Sequence, residues 1–309
     1  MSEETLSLRP LGRTGLFVSP ICAGGAPLGN LPEAFGEVSE EQAAATVRTL
    51  LESPVNFLDT AAAYGDSEGR IGSVLRERGG LPAGFVLATK AGQDPETGRF
   101  DADVVRRSVE RSLSLLGLER LQIVYLHSPD VMPFATAMEA KGPVQGLIGL
   151  RDEGLVGHVG VAGSGDVDAM IQYVRTGIFD VAITHNRYTL LDQSATPLLD
   201  MAADEGVAVL NAAPYQAGIL ATGPGPAARW RYGAAPAAIQ ERARRLQNVC
   251  QRFGVPLAAA ALQFSLRDQR IAATIVGMDR AELVNETVCL ARLQLPDEIW
   301  HELAMASVA

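Results

Sequence analysis

Cysteine, basic charge and long apolar runs are all in short supply in this 309-residue chain, and each shortage excludes something. The three cysteines, Cys22, Cys250 and Cys289, are too few and too scattered for a disulfide framework or a zinc site, which fits a reducing compartment. Lys and Arg number 26 against 36 Asp and Glu, a formal net charge of −10. That balance argues against a general electrostatic grip on nucleic acid or anionic lipid. No stretch reaches the ~18 apolar residues needed to cross a bilayer, and the opening MSEETLSLRP has no apolar core for a signal peptide. What is plentiful is core-forming material: 47% hydrophobic residues with only 20% charged, so disorder is excluded. The composition predicts a soluble, acidic, cytoplasmic globular protein that binds neither nucleic acid nor membrane.

Length alone suggests two domains, yet α/β barrels often run to ~250 residues or more as one. Short apolar runs decide between these. They begin at Val18, Val55, Phe85, Leu121, His158, Phe179, Gly206 and Ile271, and each is continuous rather than alternating. Strands buried on both faces of a parallel sheet read this way. Helical periodicity fills the gaps. Ser39-Glu40-Glu41-Gln42 has the form of a capping box, and Asp101 opens a helix that Gly117 closes. Further helices are expected over 68–78, 134–153, 167–176, 196–205, 239–253, 256–266 and 281–290.

Strands alternating with helices, and no composition break, predict one domain over 1–309, a (β/α)8 TIM barrel. An open doubly wound sheet is the rival, but the first strand runs into Gly24-Gly25-Ala26-Pro27 without a Gly-rich phosphate turn. Two segments exceed the repeat. Residues 6–18 read as an N-terminal β-hairpin plugging one end of the barrel. Residues 216–236 form a long loop, and such loops in compact domains are commonly functional lids or disordered.

Function in a barrel gathers at the C-terminal ends of its strands. Asp59 ends the second run, Lys90 the third and His127 the fourth, and Tyr64 stands in the loop after Asp59. Taken singly, each has a plain structural reading: a solvated strand end, a core histidine, a tyrosine packing the mouth. Together they place an acid, an amine, an imidazole and a phenol on one rim. A phenol with a pKa of ~10 is a poor proton donor or acceptor near neutrality, and a cation at hydrogen-bond distance favours its phenolate. Lys90 can supply that cation, Asp59 can hold Lys90 charged, and a neutral His127 can hydrogen-bond the reacting oxygen. The set is a general acid/base for interconverting C–OH and C=O, and it needs a separate hydride carrier.

The stretches NFLDTAAAYGDSEGRIGSVL, VLATKAG, VVRRSVERSLSLLGLERLQIVYLHSPD and EGLVGHVGV resemble the aldo-keto reductase superfamily over essentially the whole chain. The resemblance implies that Asp59, Tyr64, Lys90 and His127 are the catalytic tetrad. NAAPYQAGIL and RYTLLDQSA look most like the branch of aldose 1-dehydrogenases (fucose and galactose dehydrogenases) and pyridoxal dehydrogenase. It further implies a nicotinamide dinucleotide across the barrel mouth. Its contacts would be Ser164, Asn186, Asn211, Tyr215, Gly218 and Leu220, with Gly277, Asp279, Arg280 and Glu286 around the adenosine.

This chain departs from the family in ways that bear on the cofactor. The Lys and Arg that clamp a 2′-phosphate in NADP-binding relatives are missing near Gly277 and Leu283, and Asp279 would repel that phosphate. Arg280 could bind it or sit in solvent. NAD is expected in preference to NADP. The usual Ser-Asn carboxamide pair appears as Ala162-Gly163, the usual Gln falls around His185-Asn186, and the stacking aromatic falls on Ala212. His185 reads equally as a structural strand-end residue or a ligand contact. Asp130 and Trp230 are the substrate candidates, for a small carbonyl, alcohol or sugar. The oligomeric state is left as monomer or small homo-oligomer. Alternatives are an NADPH-dependent aldehyde/ketone reductase, a low-turnover cofactor-sensing subunit, and a barrel aldolase or isomerase using Lys90 as a Schiff-base amine.

Overall fold

A computed structural model describes residues 6–308 except 32, 34, 35, 164 and 232. Eight strands close into a parallel barrel: β1 (Ile21–Gly24), β2 (Phe57–Asp59), β3 (Val86–Ala91), β4 (Leu121–His127), β5 (Val156–Ala162), β6 (Val181–His185), β7 (Ala208–Ala212) and β8 (Ile271–Gly277). Spatial order follows chain order, and β8 pairs with β1 on one side and β7 on the other. The strand order never reverses, so this is the expected (β/α)8 barrel and not an open sheet.

Local chemistry sets the intervening helices. Ser39 Oγ accepts the Gln42 N–H at the start of helix Glu40–Glu52, and Asp101 accepts the Val104 N–H at the start of Ala102–Leu116. Gly117 ends the latter in the left-handed conformation, at φ 69°.

Alternation along each strand sends one set of side chains outward to the helices and the other into the ring. The inward set includes Cys22, Phe57, Ala88, Tyr125, Ile183 and Leu210, all buried. Tyr125 is large for such an interior. It fits because Gly160 faces it from β5, where a Cβ would lie 2.4 Å from the Tyr125 ring.

The N-terminal hairpin pairs Arg9 with Val18 and Pro10 with Phe17. It sends Leu11 and Val18 into the same interior cluster, so it plugs the end opposite the mouth. Gly12, at φ +52°, lies so close to β7 that a Cβ would sit 2.8 Å from the Ala208 nitrogen.

Several boundaries differ from the sequence reading. The run beginning at Val18 divides: Val18 belongs to the hairpin and the barrel strand starts at Ile21, with Pro20, which has no N–H, between them. The helix expected over 134–153 is broken into Phe134–Ala137 and Pro143–Asp152. Pro143 fits the first turn of a new helix but cannot continue an old one. The loop over 216–236 carries a short helix, Ile219–Thr222, and a small hairpin pairing Arg229–Trp230 with Gly233–Ala234. A final helix, Glu298–Val308, had no counterpart in the sequence reading. Among the described residues no helix is long and apolar enough to cross a membrane.

Candidate active site

The C-terminal rim brings Asp59, Tyr64, Lys90 and His127 together. Asp59 and His127 end β2 and β4, and Lys90 is the penultimate residue of β3. Lys90 donates from Nζ to Asp59 Oδ2 and, at 2.8 Å, to the Thr60 carbonyl. Its ammonium lies 4.7 Å from the centre of the Tyr64 ring. The Tyr64 ring meets His127 edge-on, with centroids 5.8 Å apart at 89°.

The loop carrying Tyr64 is built tightly. Gly29 and Gly65 press backbone to backbone, and a Cβ on either would come within 2.2 Å of a carbonyl oxygen of the opposing loop. Ser67 Oγ donates to the Gly25 carbonyl at 2.8 Å, and the Asp66 N–H donates to the Gly29 carbonyl at 3.1 Å. Gly65 and Ser67 of the YGDSEG stretch, with Gly29 opposite, therefore hold the loop that carries the phenol in place.

Burial and charge fix the protonation states. Asp59 and Lys90 are 2% and 4% exposed. Burial works against the Lys90 ammonium, but the charges of Asp59 and Tyr64 outweigh it and hold Lys90 above its usual pKa. Burial pushes the Asp59 carboxyl up while Lys90 opposes that rise. His127 is lowered to about 3, by burial first and then by the Lys90 and His185 charges, so near neutrality it is a neutral imidazole.

His185, which ends β6, points into the ring two residues beyond the inward Ile183. It is lowered to about 4 by burial, Lys90 and Arg187. Asn186 Nδ2 stands 3.1 Å from its Nδ1. His185 therefore belongs to this rim.

The other candidates are placed less uniformly. Asn211 points outward, with its Nδ2 on the Tyr188 carbonyl and Ser265 Oγ, both at 2.8 Å, so it serves the packing between barrel and helices rather than the mouth. Leu220 is fully buried in the helix-layer cluster, and its N–H is taken by the Tyr215 carbonyl at 3.1 Å. The Tyr215 side chain packs between the clusters, and burial pushes its hydroxyl up to about 12. Gly218 opens the short helix at φ 97°. Ser164 lies outside the described residues. Asp130 sits in a single turn after β4, where its charge acts on Tyr173. Trp230 rests on the helix-layer cluster with the Arg231 guanidinium 5.4 Å from its ring.

Gly277 is exposed at the end of β8. Arg280 is neither free nor simply solvated: it pairs with Asp279 at 3.1 Å and Glu286 at 3.2 Å. That corner holds two carboxylates and one guanidinium.

The sequence reading missed Gln216. It is fully buried, at φ 49°, and donates from Nε2 to the Asn186 carbonyl at 2.9 Å and Thr189 Oγ1 at 3.2 Å. Both the Gln216 Oε1 and the Asn186 Oδ1 are buried acceptors without a partner. Asn186 adjoins His185 and Gln216 is tied to it through the Asn186 carbonyl, and two such oxygens can accept the N–H groups of a primary amide. The residues present thus fit a nicotinamide carboxamide even without the family's Ser-Asn pair. Asp192 fastens the surrounding loops, pairing with Arg231 of the small hairpin at 3.1 Å and with Arg187 at 3.6 Å, while Arg187 Nε donates to the Gly165 carbonyl at 2.8 Å.

Comparison with known proteins gives a consistent result. The profile of the aldo/keto reductase family matches residues 20–307. D-threo-aldose 1-dehydrogenase of a Pseudomonas species is 31% identical, over 94% of this chain and 95% of that protein. Pyridoxal 4-dehydrogenase of Microbacterium luteolum is 30% identical over 96% of each, and L-galactose dehydrogenase of Arabidopsis thaliana 32% identical over 92% and 87%. In fold, the chain resembles an aldo-keto reductase of Bacillus halodurans in its holo form, with a TM-score of 0.78, 22% identity and coverage of 97% and 96%.

Proposed function

Because this chain belongs to the aldo/keto reductase family, and so is an oxidoreductase acting on CH–OH or carbonyl groups, we propose that it is an NAD-linked dehydrogenase of sugar hemiacetals or similar alcohols, with Tyr64 as its general acid/base. The observation that carries this reading is the buried Lys90–Asp59 pair, whose ammonium lies against the Tyr64 ring beside a neutral His127.

A bound nicotinamide supplies the hydride in reduction and accepts it in oxidation. The chain's residues handle the proton. In the oxidative direction the Tyr64 oxygen takes the proton of the substrate hydroxyl; in reduction it returns that proton to the carbonyl oxygen. The Lys90 ammonium stabilises Tyr64 while it is negatively charged, and Asp59 keeps Lys90 protonated and aimed. Neutral His127 donates one N–H to the reacting oxygen, so that oxygen is held without a competing acid. The same proton affinity argues against Lys90 as a Schiff-base amine, which must be neutral to attack.

Asn186 and Gln216 would hold the carboxamide, and Gly277, Asp279 and Arg280 would border the adenosine ribose. Two carboxylates around Arg280 disfavour a 2′-phosphate, which supports NAD over NADP. A general NADPH-dependent reductase would need Arg280 released from both partners. The mouth also favours an uncharged substrate: the Lys90–Asp59 charges cancel, and both histidines are neutral there. The names of the relatives add aldoses and pyridoxal as the compounds to try first.

The decisive experiment is Tyr64→Phe assayed over aldoses, pyridoxal and simple aldehydes. Turnover is expected to fall by about a thousandfold, with the dinucleotide Kd within about twofold. Undiminished turnover in this variant would refute the mechanism.

A further inference from the structure

Two complementary polar atoms in the barrel interior lack a partner: the Tyr125 hydroxyl and Asp59 Oδ1. The other carboxylate oxygen, Oδ2, is committed to Lys90. Tyr125 is fully buried on β4, in direct register with Lys90 on β3, and Asp59 lies one strand further on β2. Asp59 pairs with Ala88, two residues before Lys90, so two strand spacings (~10 Å) and a two-residue offset (~7 Å) separate the two backbones. Inward-reaching tyrosine and aspartate side chains cover part of that span, and the Asp59 charge acts on the Tyr125 phenol. Cys22 closes the group from β1, its thiol donating to the Ala23 carbonyl at 3.7 Å. Gly160 fixes the ring from the opposite side.

An unpartnered hydroxyl in an apolar ring is costly where phenylalanine would fill the same space. A donor and an acceptor that both want a partner, in one closed interior, answer each other. We propose that Tyr125 is a positioning residue whose hydroxyl donates through one enclosed water to Asp59 Oδ1, fixing the carboxylate with Oδ2 toward Lys90. Such a water would have Tyr125 Oη and Asp59 Oδ1 as polar neighbours, within the range found for buried waters. Burial and the Asp59 charge push the Tyr125 phenol well above its ordinary pKa, so it stays a donor at every working pH. The inference rests on the reading of Asp59, Lys90 and Tyr64 as the proton-handling set.

The groups facing Asp59 define what a pH profile reads. Lys90 faces it from β3, Cys22 from β1 and Tyr125 from β4. Tyr64 stands over Lys90 on the mouth side, while His127, His185 and the buried Glu68 lie within reach of the Lys90 charge. Removing a donor to the charged form of Asp59 raises its proton affinity. The acidic limb of kcat/KM should therefore move to higher pH.

The test is Tyr125→Phe, which keeps the ring and removes only the hydroxyl. The expected result is a kcat lowered about tenfold, a substrate KM within about twofold, and an acidic limb displaced upward by about one pH unit. A purely structural tyrosine would change Tm and leave the limb in place. Gly160→Ala, which pushes the ring from its seat while keeping the hydroxyl, should displace the limb in the same direction and carries the test should the phenylalanine variant fold poorly. A folded variant with unchanged kcat and an unmoved limb overturns the inference. Tyr64→Phe separates the two failures: if it is inactive while Tyr125→Phe is normal, only the positioning role falls, and if it is active, the underlying reading falls.

Discussion

At the scale of single residues the barrel mouth is a place where protonation states are set by neighbours rather than by solvent. His127 is lowered from 6.5 to about 3 and His185 from 6.5 to about 4, each mainly by burial. These shifts are linked to stability. Between those values and 6.5 the unfolded chain binds protons that the folded one refuses, so the two histidines contribute stability that is present above pH 6.5 and lost as pH falls toward the folded values. The loss is up to about 1.4 kcal/mol per pH unit for each histidine. His127→Gln should accordingly flatten the decline in unfolding free energy between pH 6.5 and 4, measured by urea titration at several pH values. An unchanged slope would show that His127 titrates in the folded protein. Asp59, Lys90 and His127 were legible in the sequence as ionisable groups at the ends of three successive strands, and Tyr64 as a phenol in the short loop after Asp59. Tyr125 was equally findable, since it stands two residues before His127 and so faces the same way. Gln216 was not, because its position depends on an irregular loop with φ 49° that no periodicity announces.

At the scale of elements, close helix packing replaces side chains with glycine where backbones touch. Gly72 lies on helix Ser67–Arg78 against the end of helix Ala102–Leu116, and a Cβ there would lie 1.9 Å from the Leu115 carbonyl oxygen. Backbone cannot swing aside as a side chain can. Gly72→Ala should therefore destabilise by about 1–3 kcal/mol despite alanine's better helix propensity, and lower Tm by a few degrees. A variant as stable as the parent in thermal unfolding would mean that the helices slide apart at no cost. That helix also carries the buried Glu68, whose carboxylate accepts from Thr89 on β3 at 2.6 Å, so a shift there should be felt next to Lys90. Elements like these were legible where a cap and an apolar stripe agreed, as at Ser39 and Asp101. They were illegible where tertiary packing overrode period. The stretch over 134–153 kept its apolar spacing through Gly142-Pro143, yet a Cβ on Gly142 would lie 2.5 Å from the Ala137 carbonyl, and the chain turns there instead of continuing. The segment over 216–236 gave no periodic signal, and its form comes from pairing at Arg229–Trp230 and from the Asp192–Arg231 contact.

At the scale of the whole molecule, charge and site bear on the same choice of dinucleotide. The chain carries a formal net charge of −10, and the candidate ribose corner repeats that sign locally, with Asp279 and Glu286 around Arg280. A 2′-phosphate adds about −1.5 to −2 charges to an already anionic ligand. NADP should then be disfavoured twice, by the general field during approach and by the two carboxylates on arrival. The two terms respond differently to salt. The Debye length falls from ~10 Å at 0.1 M to ~3 Å at 1 M, so the long-range part is screened while contacts at ~3 Å largely survive. The kcat/KM ratio for NAD over NADP should be well above one at low ionic strength, shrink several-fold as salt is raised, and remain above one. Arg280→Ala should depress NADP further and leave NAD nearly unchanged, because a free ribose hydroxyl needs only an acceptor. A ratio favouring NADP at low salt, lost in Arg280→Ala, would show that the guanidinium abandons both carboxylates for the phosphate, and the assignment of NAD would fall with it.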